Sequence, residues 1–445
     1  MTTTLPARDR GRRLIGDFER PARRRVAQDR ALARYLQTQV APFSPRYGPV
    51  LREHPVTGVD GLAALPLSRV EQLSADDNAE LVLQPTGERI AASGSRRLAR
   101  RLQAAKWTRQ VGVFNRRTIE PAYKPIHWLL AADRLPMGYT ATDVELLAEV
   151  GRYQLELAGI GPNDVLVGVI PPGPSVGFWQ VSLGARRAGV PSLFLPASPE
   201  PSPEDVARLR PNVLAGHPDD IVTLLEEGRW SGLSFAGLHT LLAVGTPIDG
   251  PMRARLAHLG GTATRDATVV SAWAPPGVRA LWAECRGGVD VHTWPAAEVL
   301  ELIDPLTGEV TNRHDGEVVY TPLGWHGTVL LRVRTGLYAS LDDAPCVACG
   351  RTSPRVRLVP FRPPFVAVLD EHPEVDLWQA ELRTVDGAEE LIVFLTPRHT
   401  GTHPGRLLRD LDRHLSATQF VVLGRRALSA RIRRAGGSNV VDLRR

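Results

Sequence analysis

Between residues 141 and 303 the apolar positions change period again and again. In ATDVELLAEVGRYQLELAGI (141–160) they recur every three to four residues, which predicts an amphipathic helix; Thr142 and Glu145 have capping-box spacing. DVLVGVI (164–170) is a continuous apolar run, as expected of a strand buried on both faces, and PPGPSVG after it reads as a loop. FWQVSLGARRAG is the next helix, VPSLFLP a strand, PEDVARLRP a helix, NVLAGHP a strand and DDIVTLLEEG a helix. Helix and strand alternating at this spacing predict an α/β fold with a largely parallel sheet covered on both sides.

Past residue 285 the rhythm becomes that of hairpins: EVLELID, a PLTGE turn, GEVVYTPL and GTVLLRVRTG. Three prolines break a basic stretch in RLVPFRPPF (357–365). Beyond it, LWQAELRTV, ELIVFLTP, RLLRDLDRHL and TQFVVLG predict a small α+β unit. The expected organisation is therefore a basic helical arm over 1–34, a large domain over 35–358 and a small C-terminal domain over 359–445. A divergent basic insert spans 86–125, where Trp107, Val111 and Phe114 fall at i, i+4 and i+7 and predict one docked apolar stripe.

Composition is that of a folded protein, 43% apolar and 23% charged, so a disordered chain is excluded. No run of about 18 apolar residues occurs, so no membrane span is expected. Arg12-Arg13 is followed by Asp17 and Glu19 rather than an apolar stretch, so an export signal is not expected either and the protein reads as cytoplasmic. Only two of the 54 basic residues are lysine, Lys106 and Lys124, so no lysine is available for chemistry in the C-terminal part. The net charge of +6 favours acidic partners. Residues 95–117 are the candidate surface for an acidic carrier or protein partner; a nucleic-acid reading of the segment rests on charge alone. Three cysteines cannot all pair, and Cys346-x-x-Cys349 has the form of a metal clip.

Several stretches together resemble the phenylacetate–CoA ligase branch of the adenylate-forming superfamily, in its order and spacing. They are RPNVLAGHPDDIVTLLEE (210–227), AVGTPIDGPMRARL (243–256), PGVRALWAEC (276–285), ELIDPLTGEV (301–310), GEVVYTPL (316–323), RVRTG (332–336), PCVACGRTSPRV (345–356) and SARIRRAGGSNVVDLR (429–444). The resemblance covers roughly residues 30–445. It implies a large N-terminal domain with a parallel-sheet core, a β-rich part, and a small C-terminal domain. It also implies activation of a carboxylic acid by ATP and transfer of the acyl group to coenzyme A.

The residues that such chemistry uses are then the question, because a fold does not guarantee a reaction. Adenylation brings a carboxylate to a phosphate, so it needs backbone N–H donors, a magnesium ion and a cation. The family draws the donors from a Ser/Thr/Gly-rich loop before a G-Y-[ST] segment. Gly138-Tyr139-Thr140 is present here, but HWLLAADRLPM (127–137) before it has no glycine, serine or threonine; AASGSRR (91–97) is the alternative place for such a loop. Where the family has an aromatic stacked on adenine and a magnesium-binding glutamate, this chain has Trp273 and Gly277. Trp273 is either a stacking surface or a wall of the core. Leu337 stands where the family's ribose-binding aspartate follows R-T-G, although Arg334 is kept, and Gly436 stands at the catalytic-lysine position. Arg433 and Arg434 lie nearby and could meet a phosphate, but as planar forks rather than point charges.

The cysteines behave differently. By the resemblance, Cys285, Cys346 and Cys349 all fall where the family carries cysteines, and His292 where it carries a histidine. Three thiolates and an imidazole suit a closed structural zinc site with no position for water. The other reading is a small buried thiol at Cys285 beside a reduced turn. Two functions are thus expected. One is a zinc-stapled scaffold without ordinary adenylation, for which ATP–Mg and CoA are in doubt, that binds an acyl or aryl group, a CoA or carrier thioester, or a protein. The other is an active, divergent acyl- or aryl-CoA ligase that uses arginines in place of the lysine.

Overall fold

The changes of period do fold as alternating helices and strands. The computed structural model describes residues 20–443, apart from 76, 94–95, 132–134, 196–201, 236, 263, 289, 306, 312–313, 360–363, 386–387, 400–402, 414, 416, 418 and 435–438. The chain divides into two units, Met1–Val359 and Pro360–Arg445. In the first, five strands pair in parallel in the order Ser192–Phe194, Leu166–Gly168, Val213–Gly216, Thr240–Val244 and Thr268–Trp273. All residues of Val213–Gly216 and Thr240–Val244 are buried, because apolar layers close on both faces of the sheet. From Leu166–Gly168 the chain moves outward to Ser192–Phe194 and then back across to Val213–Gly216. Such a reversal leaves a crevice at the carboxyl ends of the strands.

The sheet continues beyond its parallel half. Trp282–Glu284 runs antiparallel to Thr268–Trp273, and Val291–His292, Arg355–Leu358, Val333–Asp342, Asp315–Pro322 and Glu298–Ile303 follow in that order. With Ser68–Arg69, which pairs with Val333–Asp342, the sheet has twelve strands among the described residues.

Helix Val176–Ala188 is set by a close crossing with helix Ala141–Leu157. A Cβ on Gly151 would lie 2.1 Å from the Gln180 carbonyl oxygen, and one on Gly184 would lie 2.4 Å from the Gly151 carbonyl carbon. Gln180, fully buried on the same helix, receives Leu281 N–H at 2.7 Å and donates to Leu281 O at 3.0 Å and to Gln154 Oε1 at 2.6 Å. Two glycines and one glutamine therefore lock this helix against its neighbour and against the segment that follows Thr268–Trp273.

Three expectations are corrected. The capping box is Thr140/Asp143, not Thr142/Glu145: the Thr140 hydroxyl accepts Asp143 N–H, and Asp143 Oδ2 accepts Thr140 N–H. Asp143 is fully buried and also accepts His326 N–H and Gly327 N–H, which fixes the helix start two residues earlier. Helix Pro21–Tyr35 is not a separate arm. Leu32, Tyr35 and Leu36 are buried in a core cluster with Leu323, Val329 and Leu331, and Arg24 pairs with Asp343. Lastly, Trp107, Val111 and Phe114 do not form one stripe. Helix Arg96–Trp107 ends there in a turn with Arg109 at φ 57° and Gln110 N–H bonded to Ala105 O, so Trp107 is 82% exposed while Phe114 is buried. Leu102, Ala105, Phe114 and Tyr123 make the packed face instead.

The second unit is a four-stranded sheet in the order Gln419–Val422, Ala388–Pro397, Val375–Val385 and Val440–Asp442. Helices Pro364–Glu371, Pro404–Asp412 and Arg425–Arg434 accompany it.

Candidate functional site

A cavity of about 410 Å³ opens at the carboxyl ends of the parallel strands. Ile170 and Pro171 enter it after Leu166–Gly168, His217 after Val213–Gly216, Val244 and Gly245 at the end of Thr240–Val244, and Ala274 to Val278 after Thr268–Trp273. Ser175 to Gly177 add the start of helix Val176–Ala188, and Leu130, Ala131 and Met137 close the side. Among these lining residues His217 is the only titratable side chain, and no carboxylate, lysine or arginine is present. The described lining residues suit a neutral apolar group and supply no counter-charge to a carboxylate or phosphate.

The sequence-predicted nucleotide residues are placed as follows. Trp273 is 5% exposed and meets Trp282 edge-on at 5.7 Å, so it is a core side chain and lines no part of the cavity. Gly277 does line it, at φ +87°, where a Cβ would come within 2.9 Å of Val70 Cγ2. The turn needs glycine there, and a glutamate would be strained by its backbone and by contact. Leu337 packs partly buried against the main core. Arg334 is also turned away from the cavity: its guanidinium is held by both Glu317 carboxylate oxygens, the nearest at 2.5 Å, and donates to Pro305 O at 2.9 Å. Gly336 N–H completes the set around Glu317. Residues 127–139 form a hairpin, His127–Ala131 with Leu135–Tyr139, whose connecting residues 132–134 lie outside the described residues. So do 94–95 of the alternative loop and Gly436. Arg433 and Arg434 are exposed at the end of Arg425–Arg434, in the second unit.

The four metal candidates, in contrast, are brought together. The donor atoms of Cys285, His292, Cys346 and Cys349 lie within 4.8 Å of one another. Cys285 follows Trp282–Glu284, His292 is on the adjacent strand, and the other two sit on a turn closed by Gly350 N–H to Cys346 O at 2.7 Å. Cys285 Sγ is 3.8 Å from Cys346 Sγ, and Cys349 Sγ is 3.5 Å from His292 Nε2. A tetrahedral ion bound at about 2.3 Å to sulfur and about 2.0 Å to nitrogen has edges of about 3.8 Å and about 3.5 Å. The donor set therefore fits such an ion.

The surroundings favour the ligating forms. Burial, with Arg355 and Arg351 nearby, lowers His292 to about 4, so its imidazole stays neutral. Burial works against a thiolate at Cys346, but the backbone N–H groups of Cys349 and Ala348 and the Arg355 side chain outweigh it and bring the thiol down to about 7. Burial, then the neighbouring thiols, push Cys285 up when it has no cation to face. Ser353, which is 1% exposed, holds His292 Nδ1 at 2.8 Å and thereby directs Nε2 at the cysteines. Neither Ser353 nor Arg355 could be found from sequence, because a serine or arginine near a C-x-x-C has no distinguishing spacing.

A parallel sheet with a crevice at its switch point, an antiparallel extension and a small α+β second unit define the fold of the adenylate-forming ligases. Among solved structures, 2-hydroxyisobutyryl-CoA ligase in the postadenylation state with R3-HIB-AMP is similar, with TM-score 0.62 and 16% identity over 98% of this chain and 97% of that one. The same ligase with 2-HIB-AMP and CoA in the thioesterification state gives TM-score 0.60 and 16% identity over 99% and 94%. At that identity the likeness is one of fold. No protein-family model matches the sequence, and no curated protein does. No helix among the described residues is long and apolar enough to cross a membrane.

Proposed function

We propose that this chain is a phenylacetate–CoA ligase-like protein that binds a neutral apolar acyl or aryl group without ordinary ATP-dependent adenylation, on a scaffold stapled by zinc. The observation that carries the reading is the cavity: it occupies the crevice where an adenylate would form, yet His217 is the only titratable side chain among its lining residues. Gly277, held at positive φ against Val70, adds that a magnesium-binding carboxylate does not fit at that turn. An acyl or aryl group presented as a thioester is uncharged at the reacting end and needs no counter-ion. Zinc, held by Cys285, His292, Cys346 and Cys349, would be coordinatively closed and would tie the strands around residues 282–292 to the turn at 346–349.

The test is calorimetric titration with ATP and magnesium, followed by titration with phenylacetyl-pantetheine. The reading expects no heat from the nucleotide and saturable binding of the thioester. Magnesium-dependent acyl-AMP formation that is lost when Arg433 and Arg434 are replaced would overturn it in favour of a divergent ligase.

A further inference from the structure

Helix Arg96–Trp107 and the segment after it present an unusual surface. Residues 95–117 contain eight arginines and lysines and no acidic residue. Their apolar side is already used: Leu102, Ala105 and Phe114 are buried in one core cluster with Tyr35, Leu36 and Phe43. On the outer side Arg97, Arg100 and Arg101 are exposed, and helical spacing places them in a row with Ala104 and Trp107 that is about 15 Å long. Arg101 donates to Thr118 Oγ1 at 3.0 Å, which ties the row to the segment that carries exposed Arg116 and Arg117.

Two further observations single out this face. Among the described residues Arg97, Arg100, Lys106, Arg109, Arg116 and Arg117 form no ion pair. Elsewhere the exposed arginines are mixed: Arg25, Arg187, Arg255 and Arg357 pair with Asp60, Glu145, Glu226 and Asp290, while Arg30, Arg34, Arg186 and Arg265 have no ion pair among the described residues. What marks this face is therefore the absence of any acid from residues 95–117. The row also ends on Trp107, whose indole is 82% exposed and has no ring partner among the described residues. Exposed tryptophan beside arginine is the composition of an interface centre rather than of an ordinary solvated face.

We propose that this face docks an acidic helical segment of a partner protein, with carboxylates spaced three and four residues apart along the arginine row and an apolar side chain against Trp107. Charge complementarity selects the acid, and the straight row of helical pitch selects a helix. A membrane surface is a poorer match, since an interfacial helix inserts an apolar face and the apolar face of this one is inside the protein. The surface does not depend on what the cavity binds.

The experiment is fluorescence anisotropy on the full chain with four probes: a stapled helical peptide with glutamates at alternating third and fourth positions and one leucine, an unstapled scrambled peptide of the same composition, phosphatidylcholine–phosphatidylserine vesicles, and oligo(dT). The helical peptide is expected to bind tightest. Arg97→Glu/Arg100→Glu/Arg101→Glu should weaken it about tenfold or more, with an unchanged melting temperature. Trp107→Ala should weaken it at high salt, where the charges are screened. If the charge reversal lowers the melting temperature, the glutamine triple variant replaces it. Equal affinity for the scrambled peptide, tighter binding of vesicles or oligo(dT), indifference to Trp107→Ala, or no binding would each overturn the proposal.

Discussion

The candidate metal cluster gives the sharpest quantitative expectation. Cys285 and Cys346 are 61 residues apart in sequence, and their sulfurs are 3.8 Å apart in space. A link that closes a loop of that length removes unfolded-state entropy worth about 4 kcal/mol. The first unit spans Met1–Val359, so its unfolding entropy is about 0.75 kcal/mol/K, and losing the link should lower its melting temperature by about 5 °C. Cys346→Ser removes one of four donors and should abolish stoichiometric zinc. Scanning calorimetry and elemental analysis measure both quantities on the same sample. Wild-type protein stripped by a strong chelator is the control, because it loses the metal without altering packing around Cys346. Complete loss of zinc with a melting temperature shifted by less than about 1 °C, in both the variant and the stripped protein, would refute the argument that the ion staples the fold.

Other consequences concern buried charge and close packing. Burial raises the Glu298 carboxyl to about 8, against the N–H groups of Trp294 and Trp282 that it accepts. From about pH 4.5 to 8 the folded chain thus keeps a proton that the unfolded chain releases, so this residue's contribution is full below that window and falls as pH rises, by up to about 5 kcal/mol. Glu298→Gln stays neutral and keeps the acceptor; urea midpoints at pH 5 and pH 8 should move closer together, and an unchanged gap would count against the buried neutral acid. Arg334→Leu strands Glu317 and should cost about 3 kcal/mol in urea unfolding, with most of it recovered in the Arg334→Leu/Glu317→Leu pair. Loss of ligand binding at unchanged stability would instead restore Arg334 to a binding role. Gly151→Val places atoms where Gln180 O already lies and should destabilise by more than about 2 kcal/mol; a neutral outcome in the same assay would mean the helices can separate freely.

The parallel half of the sheet was legible because its strands are continuous apolar runs between helices with a clear three-to-four period. The grouping of Cys285, His292, Cys346 and Cys349 was legible because cysteine is scarce here, so three of them and one histidine at family-like positions leave few alternatives. Finer geometry was not. Thr140/Asp143 and Thr142/Glu145 satisfy the same capping pattern, and only the burial of Asp143 under His326 and Gly327 decides between them. Trp107 fits the helical period up to Phe114, but a left-handed Arg109 ends the helix and resets the phase. Arg334 lies in a recognisable motif, and its partner Glu317 is on the neighbouring strand, a pairing that a linear reading does not reveal. The cavity was invisible for the same reason: its walls come from the ends of five separated segments, each of ordinary apolar composition.

The paired glycines have a consequence for how this molecule could diversify. Gly184 lies seven residues from Gly177, about 10 Å along the helix whose first turn lines the cavity. Any side chain introduced at the crossing must tilt or slide that helix, and the tilt is delivered at its other end, as a change in the bore of the cavity. Size selection can therefore be tuned by substitutions that never touch a ligand. Libraries that vary Gly151 and Gly184 with alanine and serine would act as a coarse gauge adjustment, and variation at Val176 or Leu281 would set the fine fit.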